Sequence, residues 1–131
     1  MTRASRLAWL LCLPALAGCE ARQPLHGRWV VDLPATVEQA RRDGITAQAV
    51  PQIREVYAGG RIEITPDAVV MRVDGLPDAI ARNYRVLGEQ DGCYRMAISG
   101  APGAHAYCVR GQRLLVHDPS TPLTVVFQRE S

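Results

Sequence analysis

The sequence predicts a mainly β domain: a small antiparallel meander of eight strands closed into a barrel, with a short helical insert between the first strand and the second. Three observations lead there. Eight short runs between Gly27 and Arg129 alternate apolar and polar residues, as strands with one buried face do. Turn-forming residues punctuate the later runs at Pro66-Asp67, Asp91-Gly92, Pro102-Gly103, Gly111 and Pro119. Between residues 36 and 58 the apolar spacing changes to three and four, the helical period. Closing such a meander on itself removes the exposed strand edges that an open sheet would carry.

The first run, Gly27 to Leu33, sets Trp29, Val31 and Leu33 on one face and Arg28 and Asp32 on the other, and Pro34 ends it. Thr36 with Gln39 has the form of a capping box. Val37 and Ala40 follow at helical spacing until Gly44. Val50, Ile53 and Tyr57 mark a second short helix that stops at Gly59-Gly60. The remaining strands are predicted at 61–65, 68–73, 79–87, 93–98, 104–110, 114–117 and 123–129. Ile62 and Ile64 alternate with Glu63 and Thr65, and Val125 and Phe127 with Thr124 and Gln128, so one face is apolar and the other wet.

Ahead of the domain, Arg3 and Arg6 precede an apolar stretch of eleven residues, Leu7 to Ala17. A permanent transmembrane helix needs about twenty residues, so residues 1–18 read as a cleaved signal. Leu16-Ala17-Gly18-Cys19 resembles the lipobox of bacterial lipoproteins. That resemblance implies acylation of Cys19, a tether over residues 19–25, and a domain over residues 26–131 held to a membrane in the cell envelope. Glu20, where inner-membrane lipoproteins of the enteric type carry Asp, points to the periplasmic face of the outer membrane.

Without Arg3 and Arg6 the chain has as many arginines as acidic residues and no lysine. Nucleic acid demands a clustered basic surface, and none is visible. Of the four cysteines, Cys12 leaves with the signal and Cys19 takes the lipid, which leaves Cys93 and Cys108 in an oxidising compartment. Parity tests their pairing: a hairpin centred on residues 100 and 101 that sets Met96 opposite His105 also sets Tyr94 opposite Tyr107 and Cys93 opposite Cys108. Both thiols then share one face, and a structural disulfide is expected.

Gly27-Arg28-Trp29 resembles the Gly-x-Trp signature of lipocalins, in which the tryptophan plugs one end of the barrel and an arginine near the last strand packs over it. Arg129 has the parity for that role. The helical insert followed by a meander is also similar to the fatty-acid-binding proteins, where two helices lid the barrel mouth. An eight-stranded interior either fills with side chains or holds one small ligand.

Five residues are the ligand-binding candidates: Arg82, Tyr84, Tyr94, His105 and Tyr107. His105 would face inward with the tyrosines, as a ligand contact or as a core histidine satisfied by a tyrosine or backbone group. Arg82 alternates with Ile80 and Tyr84, so its guanidinium either grips a carboxylate or phosphate inside the barrel or stands solvated at the rim. No metal-ligand spacing, cofactor loop or catalytic motif is present. The sequence therefore predicts no enzyme and no cofactor. It leaves two functions: a carrier of a small apolar or amphipathic ligand, or an interaction or inhibitor protein docking on another envelope protein.

Overall fold

In the computed structural model, which describes residues 24–74 and 77–130, eight strands close into one barrel in sequence order. They are β1 (Gly27–Val31), β2 (Arg61–Ile64), β3 (Ala68–Arg72), β4 (Ile80–Gln90), β5 (Cys93–Ile98), β6 (Ala104–Arg110), β7 (Arg113–His117) and β8 (Thr124–Arg129). All neighbours are antiparallel, and β1 closes the ring by pairing with both β2 and β8. Helices α1 (Leu33–Arg42) and α2 (Val50–Tyr57) lie between β1 and β2, joined through a 3₁₀ turn at Ala47–Ala49. The signal segment 1–18, its lipobox, Cys19 and the tether up to residue 23 lie outside the described residues.

Alternating strand direction sorts the connections between two ends. The helices and the β3–β4, β5–β6 and β7–β8 connections share one end, the mouth; the β2–β3, β4–β5 and β6–β7 turns share the other with the start of β1. Val37 and Ala40 of α1 and Val50 and Ile53 of α2 are buried in the same cluster as the barrel interior. The helices thus form a lid whose apolar stripe faces the barrel.

The first helix starts earlier than the capping-box pattern at Thr36 predicts, and the first strand ends at Val31 rather than Leu33. Asp32 is the cap: its side chain accepts from the Ala35 backbone N–H at 3.1 Å. Pro34 then sits in the first turn, where a missing N–H costs nothing. Thr36 is wholly buried instead, its Oγ1 accepting the Val126 N–H at 2.9 Å and donating to the Asp32 carbonyl at 2.8 Å. This one hydroxyl pins the lid to β8. Thr36→Val keeps the shape but strands a buried N–H, so a loss of about 1–3 kcal/mol is expected in urea unfolding; an unchanged midpoint would show that the tie carries no weight.

Strand β4 runs to Gln90, three residues past its predicted end at Leu87, with a bulge between Val86 and Gly88. Glu89 and Gln90 are exposed, so no apolar alternation marks the extension.

The closed end is built around Trp29, which is fully buried and paired with Ile62 on one side and Arg129 on the other. Its indole Nε1 donates to the Leu25 carbonyl at 3.1 Å. The Arg129 guanidinium carbon lies 4.0 Å from the ring centroid, a cation–π arrangement. Arg129 also donates to the carbonyls of His26, at 3.0 Å, and Pro24, at 2.6 Å. Gly27 makes this possible twice over: its φ is +133°, and a Cβ there would stand 2.8 Å from Arg129 Nη1.

Candidate ligand cavity beneath the helical lid

Under the lid the barrel is hollow. A cavity of about 340 Å³ opens at the mouth, lined by Ile62, Met71, Ile98, Val116, Leu123, Val125 and Phe127. Tyr57 reaches it from α2, while Arg82, His105, Tyr107, Asp118 and Thr121 supply the other polar groups. An apolar vessel with a few convergent polar atoms is the usual form of a small-molecule site.

Each polar group has a structural reason for its place. Arg82 sits on β4 opposite Val69, whose side chain is wholly buried, so parity aims the arginine inward. Its guanidinium lies against Gly100 at the tip of the β5–β6 hairpin, in space that a Cβ would fill. His105 pairs with Met96 and is only 6% exposed. Its Nε2 is buried with no hydrogen-bond partner among the described residues. Most buried polar atoms are paired, so an orphan of this kind asks for an explanation.

Asp118 lies at the start of the β7–β8 connection. Its Oδ1 accepts from the Ser120 N–H at 2.8 Å and from the Ser120 hydroxyl at 2.7 Å, and these bonds hold its carboxyl below the ordinary value. Tyr57 and Tyr107 are both pushed up, first by burial and then by the Asp118 carboxylate.

For Tyr107 the shift reaches about 12. Its neutral phenol is the form the folded state favours. The contribution to stability is complete below the ordinary value of 10.0 and is lost as pH rises toward about 12. In an alkaline titration followed by tyrosinate absorbance, Tyr107 is expected to ionise near that upper limit, together with loss of structure. A Tyr107→Phe protein in which the highest-pH step persists unchanged would contradict this.

The five candidates divide. Arg82, His105 and Tyr107 line the cavity together. Tyr94 is buried opposite Tyr107 and belongs to the core without lining the cavity. Tyr84 turns toward the closed end, where its hydroxyl donates to the Thr65 carbonyl at 2.6 Å and stands 3.4 Å from His26 Nε2. Sequence reasoning missed Tyr57 and Asp118. The position of Tyr57 on the buried stripe with Val50 and Ile53 was a usable signal, whereas Asp118 beside Pro119 looks like any turn aspartate.

No protein-family model matches the chain, and neither does any curated protein or any solved structure. Among the described residues no group of three or more His, Cys, Asp or Glu is placed to hold a metal. None of the described helices is long and apolar enough to cross a membrane. A second hollow of about 280 Å³ lies outside the barrel between Arg28, Arg61 and Arg72. Two of its arginines are already paired across strands, Arg28 with Glu63 at 2.9 Å and Arg61 with Glu130 at 3.9 Å. These exposed pairs contribute little.

Proposed function

We propose that this protein is a lipid-anchored carrier of the cell envelope that holds one small apolar or amphipathic molecule in the cavity beneath its helical lid. The observation that supports it is the cavity: its volume of about 340 Å³ falls within the roughly 300–1,000 Å³ of ordinary ligand sites, and its walls are mostly apolar. Acyl chains on Cys19 would supply the anchor, since two or three chains hold stably where one does not. Arg129 grips the carbonyl of Pro24 at the closed end. Four residues lie between Cys19 and Pro24, and the five links of chain span at most about 18 Å. On this reading the closed end faces the membrane and the mouth faces the aqueous space.

A displaceable fluorescent fatty-acid analogue tests the carrier. The Cys19→Ser chain, exported behind an ordinary cleavable signal so that its thiols oxidise, is expected to bind the probe at one site and release it to decanoate. Ala101→Trp, which fills the rim of the cavity, should remove binding at an unchanged melting temperature. Saturable binding by neither protein would reject the carrier. The anchor has its own test: in the native host Cys19→Ser should leave the membrane fraction, and the same processing and fractionation as the parent would refute lipidation.

One observation favours a second reading, docking on another envelope protein. Val86 and Leu87, at the bulge of β4, are large apolar side chains that stand exposed. Exposed apolar side chains of this kind are what an interaction face would use.

A further inference from the structure

A second apolar hollow adjoins the cavity on the outer side of the lid. It is a groove of about 390 Å³ between α2 and the β7–β8 connection, lined by Ile45, Ala49, Ile53, Val56 and Pro122. Tyr57, Thr121 and Leu123 line both hollows, so the groove begins where the cavity ends. The sequence of α2 accounts for it. Val50, Ile53 and Tyr57 follow the helical period toward the barrel, and Val56, three positions after Ile53, widens the apolar stripe beyond what the barrel covers. Ile53 is 7% exposed and Val56 49%.

The crossing between the two hollows is polar. The Thr121 N–H donates to the Asp118 carbonyl at 3.1 Å, which folds that turn at the cavity rim. Tyr57 stands within reach of the Asp118 charge, which adds to burial in keeping its phenol protonated. We infer that the carried molecule has two apolar arms joined by an ester or amide, one arm under the lid, the other in the groove outside it, and the junction at Tyr57 and Thr121. This rests on the carrier reading and names the class of molecule carried. A phenol O–H donates to a carbonyl oxygen, and an ester or amide brings that oxygen without setting a second negative charge beside Asp118. A single-chain acid with its tail in the barrel leaves Val56 bare. A second arm covers it, and removal of that apolar surface from water is what holds the arm there.

Displacement constants for monooctanoylglycerol, dioctanoylglycerol and hexadecanoate test this on the oxidised Cys19→Ser protein. The two-armed ester is expected to bind at least about tenfold tighter than the one-armed ester, from burial of its second chain. Val56→Glu, a change at a half-exposed position, should erase that margin and leave monooctanoylglycerol within about twofold, while Val56→Leu should keep the margin. If the glutamate variant fails to fold, the Cys19→Ser protein itself decides: nuclear Overhauser contacts between the ligand and the Val56 methyls are expected with dioctanoylglycerol and not with monooctanoylglycerol. No margin between the two esters, a margin untouched by Val56→Glu, or no contact to Val56 would overturn the inference and leave the carrier standing. So would an equal Val56 dependence for hexadecanoate, which has nothing polar to place at the crossing. Absence of any probe binding would remove both.

Discussion

Trp29→Ala is expected to cost about 3–5 kcal/mol, the range for emptying a large aromatic from a packed interior. Trp29 has no exposed surface, so the loss is nearly pure cavity. Two further losses add to it. The Leu25 carbonyl loses the indole donor, and Arg129 loses the ring beneath its guanidinium. Against a total stability of about 5–15 kcal/mol for a domain of this size, the variant should unfold at a small fraction of the parent's urea midpoint. Trp29→Phe separates the contributions: it keeps a ring under Arg129 but no N–H, and should fall between the two. An alanine variant within about 1 kcal/mol of the parent would mean that the closed end is not where the barrel is held together.

Reducing the Cys93–Cys108 pair should produce the second large effect, about 3 kcal/mol. The two residues face each other across β5 and β6 with Cα atoms 3.9 Å apart and sulfurs at bonding distance, 15 positions apart in sequence. A crosslink between them confines the hairpin in the unfolded chain, where the entropy saving arises. The pair lies at the closed end of the barrel, remote from the mouth, so reductant should lower the melting temperature without altering ligand affinity at temperatures where the protein stays folded. A Cys93→Ala, Cys108→Ala protein should start at the lower value and ignore reductant. If reductant leaves the parent's melting curve in place, the thiols do not form the staple described.

Much of this geometry was legible because a strand's side chains repeat every two residues. Setting Met96 against His105 was enough to place both cysteines on one face, and the observed register is that one. Where a segment lacked a buried face, the same logic had nothing to grip: Glu89 and Gln90 extend β4 with both sides exposed, and only the ladder to Tyr94 and Cys93 reveals them as strand. The start of α1 was obscured for a different reason. Thr36 and Gln39 look like a helix start, but Thr36 is claimed by Val126, ninety residues away, and the short-range cap falls to Asp32.

The site divides along the same line. Parity could say that Arg82, Tyr84, His105 and Tyr107 shared an inward face, but not at which end of the barrel each side chain would arrive. Tyr84 lies only two residues from Arg82 yet meets the β2–β3 turn, because β4 passes from the mouth toward the closed end across that interval. The orphaned Nε2 of His105 had no sequence signal at all, since pairing is a property of neighbours.

A native mass spectrum of the protein extracted gently from its own host bears most directly on whether the hollow is occupied. The carrier account predicts a mass above that of the acylated polypeptide by the weight of one small apolar or amphipathic molecule, lost on mild activation and absent from Ala101→Trp. A spectrum showing the bare acylated chain alone, from a preparation that also fails to take up fatty acids, would contradict it.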